Sequence, residues 1–254
     1  MSYNNIKNVY DNTYKMNSPK GNCDILPIEY LKGDRKVTII ERIKKDKIIA
    51  IIRGVQQEQI VDTCKALYAG GISMIEVTFN QSSLTGNEDT YNAVKSISDT
   101  LGNDICVGAG TVMTIEQVEL AVKAGAKYII SPNFDCEVVA KSIELGVVPL
   151  PGVLTPTEIV EAYKAGAPAV KIFPIGKMGG VDYIEDIKAP ISHIPLIAVG
   201  GVDLSNIGDY IKAGAIGVGL ASNLVDKELI NEGKFDELTE LAKKFVRNAK
   251  VTSA

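Results

Sequence analysis

Ala165-Gly166-Ala167-Pro168-Ala169-Val170-Lys171-Ile172-Phe173-Pro174 contains the plan of the whole chain. A glycine just past a helical segment can take the left-handed conformation that ends a helix. The apolar run that follows, Ala169–Phe173, is too short for a helix and suits a buried parallel strand. The same helix-to-strand phrase recurs as Ala69-Gly70-Gly71, Ala124-Gly125-Ala126, Leu145-Gly146-Val147 and Ala213-Gly214-Ala215. Outward from the quoted stretch lie the other apolar runs: Ile48–Ile52, Ser73–Val77, Ile105–Val107, Tyr128–Ile130, Val147–Leu150, Leu196–Val199 and Ile216–Gly219. Segments of helical spacing separate them, such as Ile115, Val118, Ala121 and Val122 behind Thr114 as an N-cap. Eight strands alternating with helices predict an α/β single-domain (β/α)8 TIM barrel, and 254 residues is the ordinary size for one. A doubly wound open sheet is the alternative. It would carry a G-x-G-x-x-G turn after its first strand, and Arg53-Gly54-Val55 is not one.

The rest of the chain fits one globular domain. Residues 1–36 are rich in Asn, Lys, Tyr and Ser and lack apolar periodicity, so they are expected to form an N-terminal extension, disordered or draped on the barrel. Residues 37–254 form the barrel, closed by a C-terminal helix whose Phe235, Leu238, Leu241 and Phe245 have the spacing of a packed face. The charged stretch Lys44–Lys47 reads as a solvated helix end. Net charge is −4 with no basic patch, which argues against a nucleic-acid partner. Cys23, Cys64, Cys106 and Cys136 form no C-x-x-C pair and His193 is the sole histidine, so a zinc site or a Cys–His nucleophile pair finds no support. Isolated thiols, the lack of a signal pattern and the lack of a membrane-length apolar run predict a cytoplasmic protein with no membrane partner.

Working residues of such a barrel sit at the C-terminal ends of its strands. That rule selects Arg53, Glu76 with Thr78, Thr111, Ser131 with Asn133, Pro151-Gly152, Lys171, Gly200-Gly201 and Gly219 to Ser222. Lys171 is the most informative, because burying an ammonium among Val170, Ile172 and Phe173 is costly and leaves more of the neutral amine. A neutral amine can condense with a ketone to an iminium ion, an electron sink for breaking a neighbouring C–C bond. Lys127, the other strand lysine, stands at the wrong end of the barrel. Glu76, if partly buried, has a raised pKa and can shuttle protons. A purely structural Lys171–Glu76 ion pair is the bland alternative. Gly200, Gly201, Gly219 and Ser222 follow the last two strands, where this fold often binds phosphate on backbone amides and a helix N-terminus; simple turn geometry is their alternative role. Arg53 offers a fork for a substrate carboxylate, or a surface salt bridge. His193, in a loop before Pro195, reads as a surface residue.

Several ordered motifs together resemble a known family. They are Ile49–Arg53 (IAIIR), Gly71–Thr78 (GISMIEVT), Val107–Val112 (VGAGTV), Ser131-Pro132, Pro151-Gly152 with Thr155–Glu158 (TPTE), Lys171–Pro174 (KIFP) and Val199–Val202 (VGGV). From about residue 37 to about 230 the chain resembles the 2-keto-3-deoxy-6-phosphogluconate (KDPG) aldolases, a family that includes the 6-phosphogalactonate and 4-hydroxy-2-oxoglutarate aldolases. The resemblance implies a class I aldolase in which Lys171 forms the Schiff base and Glu76 is the general acid/base. It implies that Arg53, Thr111 and Pro132 hold the pyruvate portion, that Gly201 and Ser222 contribute to phosphate binding, and that the protein is a homotrimer needing no metal or cofactor. Asn80 stands where some family members carry an arginine that grips the substrate carboxylate; Arg53 would then take that task, and Asn80 itself resembles the phosphogalactonate branch. A phosphate-binding isomerase or epimerase and a non-catalytic sugar-phosphate-binding barrel are the rivals from other classes.

Overall fold

A computed structural model of the chain describes residues 34–250. It starts with helix α1 (Asp34–Asp46), so the predicted extension lies outside the described residues except for 34–36, which already belong to that helix. The chain then alternates: β1 (Ile48–Ile52), α2 (Ile60–Ala69), β2 (Met74–Thr78), α3 (Gly86–Leu101), β3 (Cys106–Gly110), α4 (Ile115–Ala124), β4 (Tyr128–Ile130) and α5 (Cys136–Glu144). It continues with β5 (Val148–Leu150), β6 (Gly152–Val153), α6 (Pro156–Lys164), β7 (Val170–Ile172), α7 (Gly180–Lys188), β8 (Leu196–Val199), α8 (Ile207–Lys212), β9 (Ala215–Leu220), α9 (Lys227–Asn231) and α10 (Phe235–Lys250). Each of the five helix-to-strand phrases contains a glycine at positive φ, from 75° at Gly146 to 106° at Gly125. At Gly125 this lets the Ala126 N–H turn back to Ala121 O at 3.0 Å, closing α4 before β4 begins.

All strand pairs are parallel, in the order β5-β4-β3-β2-β1-β9-β8-β7-β6. The two ends of that order, β5 and β6, are separated in the chain by Pro151 alone. They are two halves of the fifth barrel strand. β5 pairs with β4, the Pro151 carbonyl accepts the Lys171 N–H at 2.9 Å, and β6 pairs with β7. Nine segments therefore occupy the eight expected strand positions, and the ring of strands is nearly closed. Proline has no N–H for a ladder, and strand five changes partners at that residue.

Alternation along each strand separates two cores. Ile48, Ala50, Ile52, Ile75, Val77, Val170 and Ile172 point outward against the helices. Ile49, Ile51, Met74, Cys106, Tyr128, Ala169 and Ile197 point inward and fill the barrel, with Ile39, Ile40 and Ile43 of α1 packed into the same inner cluster. Gly217 leaves no room for a side chain, since a Cβ there would sit 2.8 Å from Ile43 Cγ2. The N-terminal end of the barrel is thus stoppered by hydrocarbon, and polar chemistry is left to the other end. α10 behaves as its spacing predicts, with Leu238 and Phe245 buried and Phe235 and Leu241 packed at the margin.

Candidate active site

Inward alternation places 169, 171 and 173 on one side of β7, and 74, 76 and 78 on one side of β2. Lys171 and Glu76 therefore rise into the barrel above the apolar layer. They border a cavity of about 570 Å³ at the C-terminal ends of the strands. Arg53, Thr111, Pro132, Gly200, Gly201, Gly219 and Ser222 line the same cavity. Of the ten residues given a catalytic, pyruvate-holding or phosphate-binding role, nine thus line one cavity, whereas Thr78, Ser131, Asn133 and Pro151-Gly152 do not.

Lys171 is 7% exposed and Glu76 is 2% exposed. Burial pushes the Lys171 ammonium below the usual lysine pKa; the Glu76 charge opposes this and Arg53 adds to it. Burial raises the Glu76 carboxyl above the usual carboxylate range, with Lys171 and Arg53 pulling the other way. The two groups are thus pushed toward each other in pKa. Among the described residues every ion pair lies elsewhere, on the outer shell, so the structural ion-pair alternative is not met. Lys171 Nζ lies 4.7 Å from the centre of the Phe173 ring, an apolar neighbour that displaces water from the amine.

Glycine makes room for this pair. A Cβ on Gly110 would collide with the Glu76 carboxylate, and one on Gly108 would collide with the Tyr128 ring beneath it. The Tyr128 hydroxyl donates to Ile75 O at 2.7 Å, which fixes the floor under Glu76. Thr111, immediately after β3, has φ 55°, a left-handed conformation uncommon for a β-branched residue.

The loops after β8 and β9 are drawn together by their acceptors. Gly176 N–H, Asn206 Nδ2 and Asn223 Nδ2 donate to the carbonyls of Gly200, Gly201 and Val202 at 2.7, 3.0 and 2.8 Å. Gly200 and Gly201 have φ 90° and 85°. The helix end expected here differs from the prediction: the first amides of α9, Glu228 and Leu229, are already taken by the Asp226 side chain. A turn, with Leu224 and Val225 N–H on Ala221 O, lies at the cavity instead.

Asn80 is the predicted site residue that does not join the others. It is exposed and accepts the Ser82 N–H at 3.1 Å. It lines a separate cavity of about 350 Å³ with Gly54, Thr78 and Asp89. Beyond Thr78 the chain leaves the strand, and Phe79 turns into the outer core. Four residues after Glu76 therefore no longer means the same face as Glu76. Thr78 Oγ1 reaches only the Ile52 carbonyl, and Ser131 Oγ donates to Asn133 O at 2.7 Å. His193 is exposed, edge-on to Tyr163, as its loop position predicts.

Cys64 and Cys106 are free and buried, with burial pushing their thiols up to about 12 and about 11. They are inert as nucleophiles at neutral pH. Cys136 is disulfide-bonded, which corrects the expectation of four isolated thiols and removes part of its support for a reducing compartment; Cys23 lies outside the described residues. Among the described residues no cluster of three or more His, Cys, Asp and Glu could hold a metal ion, and no helix is long and apolar enough to cross a membrane.

Residues 39–241 match the family model for KDPG and KHG aldolase. The chain belongs to the KDPG and KHG aldolase family. A 2-dehydro-3-deoxy-phosphogluconate aldolase of Treponema pallidum is 34% identical over 182 residues, covering 72% of this chain and 83% of that protein. A 2-dehydro-3-deoxy-6-phosphogalactonate aldolase of Escherichia coli K12 is 36% identical over 160 residues, covering 63% and 75%. The crystal structure of a Legionella pneumophila KDPG aldolase, with pyruvate captured as a covalent carbinolamine, superposes with a TM-score of 0.72 at 27% identity over 80% of this chain and 96% of that one. The aldolase is thus a carbon–carbon lyase of the (β/α)8 fold. Phe173, Val199 and Asn223 also line the aldolase's cavity and were given no role from the sequence. Only Phe173 left a signal there, as the next inward position after Lys171.

Proposed function

We propose that this aldolase cleaves 2-keto-3-deoxy-6-phosphogluconate to pyruvate and glyceraldehyde 3-phosphate, with Lys171 as the Schiff-base nucleophile and Glu76 as the proton carrier. One observation carries the reading: Lys171 is buried in the barrel wall at the cavity, without an ion-pair partner among the described residues, beside a buried carboxyl whose pKa moves the opposite way. The neutral amine attacks C2 of the keto acid to give a carbinolamine. Glu76, directly or through a water, protonates the departing hydroxyl, and loss of water leaves the iminium. Glu76, now a carboxylate, takes the proton from the C4 hydroxyl. The C3–C4 electron pair flows into the iminium, C4 becomes the aldehyde, and glyceraldehyde 3-phosphate departs. The enamine is protonated at C3, and water hydrolyses the resulting iminium to pyruvate and free Lys171.

Arg53, Thr111 and Pro132 are assigned to the carboxylate and keto group of the substrate. Gly200, Gly201, Gly219 and Ser222 are assigned to its phosphate. Because the carbonyls of residues 200–202 are engaged elsewhere, an anion at this loop would meet amide donors. We extend the proposal to a homotrimer working in the cytoplasm. The 6-phosphogalactonate epimer is the second reading, favoured by the identity to the Escherichia coli relative. Pyruvate release measured with each epimer, and with hydroxyoxoglutarate, distinguishes them.

The mechanism is tested by borohydride reduction in the presence of pyruvate, followed by peptide mass spectrometry. Lys171 is expected to carry the adduct, and Lys171→Ala to abolish both adduct and turnover. An unmodified Lys171 peptide, with turnover intact, would rule out covalent catalysis and favour the isomerase class.

A further inference from the structure

A threonine held at φ 55° needs outside support, because the left-handed region crowds its branched Cβ. Three hydrogen bonds supply it. Val112 N–H donates to Ile130 O at 3.1 Å. The Thr111 carbonyl accepts from Gln81 Nε2 at 2.7 Å. Met113 N–H donates to Gln117 Oε1 at 2.8 Å. The two amide side chains also bind each other, Gln81 Nε2 to Gln117 Oε1 at 3.3 Å and Gln117 Nε2 to Gln81 Oε1 at 3.1 Å. The second Gln117 N–H goes to Asn87 Oδ1 at 3.1 Å.

Gln117 is 5% exposed, and both donors and both acceptor positions of its amide are used. Helix capping alone does not account for this. In a capping box the third helical residue returns to the N-cap N–H, which here would be that of Thr114. The Thr114 hydroxyl does cap α4, accepting the Gln117 N–H at 3.2 Å. The Gln117 side chain is directed instead to Met113, Gln81 and Asn87. It joins the loops after β2 and β3, which carry Glu76 and Thr111 at their bases.

We propose that Gln81 and Gln117 are positioning residues for the keto-acid end of the cavity: by gripping the 111–112 peptide at its carbonyl and the 112–113 peptide at its N–H, they fix the chain just after Thr111 and hold that residue in its left-handed conformation facing the substrate. The inference rests on the reading of Thr111 as a contact for the pyruvate portion. Neither glutamine touches the reacting atoms.

The test is steady-state kinetics on Gln81→Ala, Gln117→Glu, Thr111→Ala and the double variant Thr111→Ala/Gln81→Ala. Gln81 is exposed, so its truncation opens no core; Gln117→Glu keeps an acceptor for Met113 and removes the donors to Gln81 and Asn87. Each single variant is expected to raise KM for the phosphorylated keto acid on the order of tenfold, with a smaller change in kcat. Cyanoborohydride should still label Lys171 at saturating pyruvate. The double variant should be no worse than Thr111→Ala, because the clamp acts only through that residue. If Thr111→Ala raises KM while Gln81→Ala and Gln117→Glu do not, or if the effects add in full, the clamp is refuted and the assignment of Thr111 stands. If Thr111→Ala leaves KM unchanged, the assignment of Thr111 fails and the clamp fails with it.

Discussion

Lys171 and Glu76 change each other's proton affinity, and that coupling has a direction. Burial lowers the Lys171 pKa, while the Glu76 charge holds part of it up. The alkaline-rising limb of kcat/KM should therefore have its midpoint below the ~10.4 of free lysine. In Glu76→Gln the supporting charge is gone, so the residual activity should rise at lower pH than in the parent, although its plateau falls strongly. A limb that stays put or moves up would break the link between the two groups. The same carboxyl affects stability. The Glu76 pKa is raised in the fold, so between about 4.3 and that raised value the native protein holds a proton that the unfolded chain has released. Stability falls as pH climbs through this window. Glu76→Gln should melt above the parent at pH 7, with the difference shrinking toward pH 4 in thermal denaturation. A catalytic carboxyl that costs stability is the usual exchange at an active site.

At the scale of the element, two substitutions separate site from scaffold. In α6 the Thr155 side chain caps the helix while Glu158 accepts the N–H groups of Leu154 and Thr155 at 2.9 and 2.7 Å. Thr155→Ala should cost about 1 kcal/mol in urea unfolding. Gly110→Ala puts a methyl group into the Glu76 carboxylate; it should cost about 1–3 kcal/mol and also remove turnover, since relief requires moving Glu76. The elements themselves were largely legible. β1, β4 and β8 have the limits their apolar runs predict, because both of their faces are buried and the run ends where burial ends. β6 was not foreseen, since two residues after a proline carry no period. Lys171 was legible as an inward lysine between apolar neighbours. Gln81 and Gln117 were not, because a glutamine on a loop and one in the first turn of a helix look like ordinary solvated residues until the loops are folded together. Asn80, singled out by the resemblance alone, lies just past the end of β2 and lines a different cavity.

Over the whole molecule, the barrel is held unevenly. β1, β2 and β3 share long registers, five paired positions joining β2 to β3, whereas β3 and β4 share one paired position, Ala109↔Ile129, flanked by Lys127 N–H on Val107 O and Val112 N–H on Ile130 O, and β6 meets β7 at two positions. The partner change at Pro151 lies in this thinly bonded sector, beside Lys171. Local opening favours regions with few backbone ladders. Deuterium from heavy water should therefore replace the amide hydrogens of Ile130 and Val153 well before those of Ile49–Ile52, and mass spectrometry of peptic fragments resolves the two groups. The proline that hands the fifth strand from one neighbour to the next thus sets the reactive amine in the part of the wall where that exchange should begin.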